Sequence, residues 1–129
     1  MRPLPQVRHV NSVPDVVWDD ERGAISFRTL IGDGGTPTDT LSSGIALLRP
    51  GGWLAPHRHA AAEVYQVLSG VGIVTLDGEE HHVREGSGVF IPSDHEHGIR
   101  NAGHGELAFV YVYATDSIQD VEYRWSDAR

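Results

Sequence analysis

The residues best placed to do chemistry lie between Gly51 and Gly70, in the stretch GGWLAPHRHAAAEVYQVLSG. His57 and His59 flank a single arginine, and Glu63 follows four residues after the second histidine. On an extended strand alternate side chains share a face, so the two imidazoles point one way and Arg58 the other. A short bend then brings the Glu63 carboxylate beside them. The later stretch EGSGVFIPSDHEHGIRN offers a fourth group, His97, after the apolar run Val89, Phe90, Ile91 and Pro92. Three imidazoles and one carboxylate form a metal-ligand set. The chain has no cysteine, so the donors are nitrogen and oxygen; they suit one divalent transition ion (Fe, Mn, Ni, Co, Cu or Zn) without choosing among them. In octahedral coordination four protein ligands leave two positions for water or a chelating carboxylate, as Lewis-acid chemistry or oxygen activation requires.

Tyr65 lies two residues beyond Glu63, so a regular strand turns both side chains toward one cavity. A nearby divalent cation favours the ionised phenol, which makes Tyr65 a candidate base; the alternative is a tyrosine that packs the core. His95 reads as a second acid or base or as a turn residue ahead of His97, with the turn preferred. Arg49 and Arg58 are candidates for holding a substrate carboxylate at the cavity mouth, although alternation turns Arg58 outward.

These groups are to be positioned by short strands, expected at residues 24–31, 44–49, 53–59, 63–68, 73–76, 79–84, 89–91, 97–100 and 107–113. Asp77-Gly78 is a strong hairpin signal, because both residues tolerate positive φ. Gly70 and Gly72 are read as bracketing another turn. Gly86-Ser87-Gly88 is read as a turn and not a phosphate loop, since it lacks a third glycine and opens no helix. No segment carries helical periodicity. Short strands punctuated by Gly and Pro imply an all-β fold, an antiparallel double-sheet jelly roll. Residues 1–17 carry three prolines and read as an extended arm able to pack on a neighbouring subunit, and residues 33–40 as a loop able to cover a barrel mouth.

At 129 residues the chain is expected to be a single domain, with the arm at 1–17, a barrel core at 43–114 and a tail at 115–129. The formal net charge of -8 comes with no lysine, all ten cations being arginine, and no basic run exists to follow a phosphate backbone. Nucleic acid is therefore not an expected partner. No stretch approaches the length of a membrane span, and the first residues lack the apolar centre of a signal peptide, so the expectation is no membrane partner and a cytoplasmic location.

Written as patterns, the two stretches are Gly51-x5-His57-x-His59-x3-Glu63-x6-Gly70 and Gly86-x5-Pro92-x-Asp94-x2-His97-x3-Asn101. They resemble the paired motifs of the cupin family, with one departure, Asp94 in place of the usual glycine. The tail YATDSIQDVEYRW resembles that of the small bacterial cupins that cleave dimethylsulfoniopropionate to dimethyl sulfide and acrylate. That resemblance implies active-site roles for Tyr65 and Tyr123, with Tyr65 removing the proton next to the substrate carboxylate. It also implies a small-molecule substrate and a homodimer. Three functions remain open on this reading: a metal-dependent lyase acting by proton abstraction and β-elimination, which is preferred; an iron-dependent dioxygenase; and a non-catalytic sensor or binding cupin.

Overall fold

A computed structural model describes residues 3–34 and 37–126. Eleven strands run along the described chain: β1 (Val16–Asp20), β2 (Gly23–Ile31), β3 (Ser42–Leu48), β4 (Trp53–Arg58), β5 (Glu63–Ser69), β6 (Val71–Leu76), β7 (Glu79–Arg84), β8 (Gly88–Ile91), β9 (His97–Asn101), β10 (Leu107–Tyr113) and β11 (Arg124–Trp125). Alternation drives their faces: β3 buries every second residue, and β5 buries Glu63, Tyr65 and Val67 while exposing Val64 and Gln66.

Every strand pair is antiparallel. One wall is formed by β8-β5-β10-β3 and the other by β7-β6-β9-β4. β2 joins them into one curled sheet, pairing with β4 at Gly23 and Ala24 and with β3 from Ser26 onward. This is the expected jelly roll. Its core, packed between the walls, contains the fully buried Leu48, Val74, Ile91, Leu107 and Phe109. Among the described residues no helix is long and apolar enough to cross a membrane.

The Asp77-Gly78 hairpin forms with φ of 50° and 86°, and Leu76 faces Glu79 across it. Four boundaries differ from expectation. Val16 and Val17 leave the arm and, continuing through Trp18 to Asp20, pair with β2, turning only Trp18 inward. Gly72 belongs to β6, and Gly70 alone makes the turn, at φ 85° with a Cβ position only 2.4 Å from the Glu106 carbonyl oxygen. β4 is not regular: its pairing with β9 shifts between Leu54 and His57, where Pro56 has no N–H to offer the ladder. That shift lets Leu54 and His57 face inward together. Finally, the tail contributes β11, which pairs with β4 through Trp125↔His57 and Arg124↔Arg58.

The arm packs at least partly on its own chain, where Arg28 donates to the Val10 and Val13 carbonyls at 3.1 Å each. In the loop at 33–40, Gly35 and Thr36 lie outside the described residues. The described remainder is fastened to the tail: Gln119 Nε2 donates to the Asp33 carbonyl at 2.9 Å and Thr38 Oγ1 to the Asp116 carbonyl at 2.8 Å. It is the tail, through Ile118, Val121, Tyr123 and Trp125, that reaches the barrel cavity.

Asn101, which closes the second motif, is structural. Its amide donates to the Leu48 carbonyl at 2.9 Å and the Gly105 carbonyl at 2.8 Å, and its side-chain oxygen accepts from Gly103 N at 2.8 Å. Replacing it by alanine leaves these groups unpaired at a site only 8% exposed. Asn101→Ala is expected to lower unfolding stability by about 2–4 kcal/mol, read from urea denaturation with an unchanged slope.

Candidate metal centre and cavity

His57 sits on β4, His59 one residue past its end, Glu63 at the start of β5 and His97 at the start of β9. All four are at most 2% exposed. Each imidazole is oriented by a backbone carbonyl: His57 Nδ1 lies 2.8 Å from Ala55 O, His59 Nδ1 2.8 Å from Ala61 O, and His97 Nδ1 2.9 Å from His95 O. A carbonyl can only accept, so each Nδ1 carries the proton and each Nε2 presents a lone pair.

Ligand atoms of the three histidines lie within 4.8 Å of one another. Glu63 Oε1 joins them, 3.1 Å from His59 Nε2 and 3.3 Å from His97 Nε2. His57 Nε2 and His97 Nε2 have no hydrogen-bond partner. Four acceptors converging in a buried space repel one another unless a cation lies among them. The three buried histidines can therefore hold a metal ion, and the donor chemistry fits one. Burial, together with the neighbouring His97, pushes the His57 imidazole down to about 3, leaving it neutral and ready to ligate at neutral pH.

Tyr65 is 2% exposed, with its ring centroid 6.4 Å from that of His97 and 4.5 Å from that of Phe109. No bulge separates it from Glu63: the register runs Glu63↔Ile91, Val64↔Phe90, Tyr65↔Val89. Burial, then the Glu63 carboxylate, hold its phenol well above the usual range. Tyr123 approaches from the tail, stacked on His57 at 4.3 Å with the rings 7° from parallel. Its hydroxyl is 2.7 Å from that of Tyr113. Burial and Glu63 raise this phenol as well.

Other candidates fall outside the cavity. His95 is on the turn, its Nδ1 2.6 Å from Asp77 Oδ2. Arg49 and Arg58 are exposed, and Arg58 donates to the Asp94 carbonyl at 3.1 Å. Asp94 takes the left-handed conformation at φ 64° and pairs through its carboxylate with Arg124 of the tail. The departure from glycine thus keeps the turn and adds a fastening for β11.

The cavity has a volume of about 320 Å³ and is walled largely by rings, among them Trp18, Phe27, Tyr65, Tyr111, Tyr123 and Trp125. Among the described residues Glu63 is the only charged one in its lining, and of the four cluster residues it is the one that reaches the cavity surface. Trp18, Tyr113 and Trp125 are absent from the sequence-based site. The alternation of Phe109, Tyr111 and Tyr113 was the signal for Tyr113; Trp18 lies between the segments read as arm and first strand, and Trp125 in the segment read as tail.

A cupin domain model matches residues 44–113, the segment carrying both motifs. The chain belongs to the cupin family. This cupin is 44% identical over 109 residues to the dimethylsulfoniopropionate lyase DddW of Ruegeria pomeroyi, a match covering 84% of this chain and 70% of that protein. That similarity is longer than the cupin segment and so extends beyond the barrel motifs. Among solved structures, the polyketide cyclase RemF from Streptomyces resistomycificus superposes with a TM-score of 0.81 at 21% identity, covering 98% of this chain and 88% of that one. A predicted oxalate decarboxylase from Thermotoga maritima gives 0.71 at 20% identity, covering 85% and 99%. At these identities the two structures show a shared fold.

Replacing His57 and His97 together by alanine is expected to abolish stoichiometric metal in elemental analysis of purified protein. Full metal retention in a folded double variant would place the ion elsewhere.

Proposed function

We propose that this cupin is a metal-dependent lyase that cleaves a small carboxylate bearing a β-sulfonium group, as dimethylsulfoniopropionate does, to an alkene acid and a neutral sulfide. One observation carries the reading: among the described residues the cavity wall offers a carboxylate substrate no arginine or lysine, and the one charged lining group is itself a carboxylate. The substrate's negative charge then has one place to be neutralised, the cluster of His57, His59, Glu63 and His97. Those four residues would hold a divalent ion, which would supply positive charge to the carboxylate and to the negative charge that develops beside it as the α-proton leaves.

The remaining work falls to the chain's own residues. Tyr65 is the base: burial and Glu63 keep it a phenol, a cation held by the cluster would favour the phenolate, and it is the phenolate oxygen that takes the proton from the carbon next to the carboxylate. As that C–H electron pair forms the double bond, the C–S bond breaks and its pair leaves with sulfur as dimethyl sulfide, giving acrylate. Tyr123 covers the His57 side of the site from the tail. The aromatic walls exclude water and suit a methylated sulfonium, whose diffuse positive charge is attracted to ring faces. The similarity to DddW over 84% of the chain supports the same substrate class.

The assay is dimethyl sulfide release from dimethylsulfoniopropionate, measured with and without oxygen in protein loaded with iron, manganese or zinc. Turnover is expected without oxygen. Oxygen consumption on carboxylate substrates with iron alone would turn the assignment to a dioxygenase, and tight substrate binding without turnover would make this a binding cupin. Tyr65→Phe is expected to keep metal and fold while lowering turnover by roughly 10² or more, the scale for losing a positioned proton-transfer group. A value within twofold of the parent at saturating substrate would leave Tyr65 as a packing residue.

The homodimer is proposed on the same footing. Val64 and Phe90, cross-strand partners on β5 and β8, are 40% and 64% exposed and give the outer wall an apolar face for a second copy. Light scattering is expected to return twice the 14.1 kDa chain mass, and a monomer at high micromolar concentration would contradict it.

A further inference from the structure

Tyr123 lies in the tail, outside regular secondary structure and ahead of the two-residue β11. A group used at a reacting centre has to be held to within a fraction of an ångström, and residues in irregular segments are rarely held so well by their own backbone. One face of the Tyr123 ring is fixed by its stack on His57. Stacking still allows the ring to slide, so the position of the hydroxyl needs a second restraint.

Tyr113 supplies one. It is 4% exposed, at the end of β10, with strands paired on both sides: its Cα partners are Ser42 on β3 and Glu63 on β5. Its ring meets that of His59 edge-on at 5.2 Å, and its hydroxyl is 2.7 Å from that of Tyr123. The same residue is thus a rigid post in the barrel, in contact with one histidine of the cluster, opposite its carboxylate in register, and hydrogen-bonded to the tail residue that stacks on another histidine.

We propose that Tyr113 is a positioning residue: through the hydroxyl–hydroxyl bond it sets the place of the Tyr123 phenol over the metal cluster and thereby docks the tail as the inner wall of the cavity. This rests on the lyase reading only for the part that concerns turnover. Tyr113 touches no reacting atom. Its effect on catalysis passes through Tyr123, which makes the two residues a coupled pair and not two independent contributors.

The experiment has two arms. The first uses no substrate. The chain has four tyrosines, so protein carrying 13C at the tyrosine ring carbon bonded to oxygen gives a spectrum simple enough to assign by substitution. In metal-free and zinc-loaded protein, Tyr113→Phe is expected to shift the Tyr123 resonance while those of Tyr65 and Tyr111 stay in place; an unmoved Tyr123 resonance overturns the proposal. The second arm is a cycle of Tyr113→Phe, Tyr123→Phe and the double variant in the dimethyl sulfide assay, with metal content measured for each. Tyr113→Phe alone is expected to lower kcat about tenfold with KM within about twofold, the scale of one lost hydrogen bond to a catalytic group, and to have no further effect in the Tyr123→Phe background. Equal losses in both backgrounds would make Tyr113 a packing residue and overturn the proposal. If the parent protein cleaves no sulfonium substrate, the lyase reading fails, and the spectra still decide whether Tyr113 holds Tyr123. Should Tyr113→Phe not fold, Tyr123→Phe, with its substitution on the half-buried tail, is read in reverse through the Tyr113 resonance.

Discussion

The constraint on which the structure turns is the meeting of four acceptors in a space closed to water. Three backbone carbonyls, those of Ala55, Ala61 and His95, each take the Nδ1 proton of one histidine and so aim its lone pair inward. Glu63 adds an anionic oxygen at 3.1 and 3.3 Å from two of those nitrogens. Such an arrangement is unfavourable as it stands and would become favourable around a cation, which is why these residues could hold one. Among the described residues no other charged group lines the cavity: the walls are aromatic and aliphatic, Arg49 is exposed, Arg58 donates to the Asp94 carbonyl, and Arg22 lies over the Trp125 ring, 4.9 Å from its centroid.

Two features of the backbone make that convergence possible. The break in register between Leu54 and His57 resets the alternation of β4, allowing a core leucine and a ligand to face the same way. The unbroken register of β5 from Glu63 to Gln66 then carries Tyr65 into the cavity beside Glu63. Around this barrel the tail forms one side of the wall. Inside, Tyr123 and Trp125 lean on the cluster; outside, Arg124 pairs with Asp94 and Ser126 Oγ donates to Glu96. A turn residue that departs from its family's glycine therefore serves the site at a distance, through the tail it fastens.

Most of the barrel was legible because alternation and turn chemistry are local properties. The strands from residue 24 to residue 113 are close to where their patterns place them, and Asp77-Gly78 makes the hairpin its dihedral preferences require. The grouping of His57, His59, Glu63 and His97 was legible for the same reason, with spacing fixing the face and the second motif bringing the fourth residue. What the sequence concealed depends on contacts distant along the chain. Val16 and Val17 read as the end of a proline-rich arm, and the following WDD as no element at all, until β2 is present to pair with them. Gly72 looks like a turn residue until β9 shows that a strand passes there, close enough that a Cβ would press on Leu107. Trp125 joins the cavity only once the tail folds back across β4.

X-ray absorption on protein loaded with one equivalent of zinc tests the metal centre most directly, because imidazole rings bound through nitrogen give a characteristic multiple-scattering pattern. The spectrum is expected to require three imidazoles with the remaining near neighbours oxygen. A first shell of oxygen alone, without imidazole scattering, would mean that the ion sits elsewhere and that the buried histidine cluster serves another purpose.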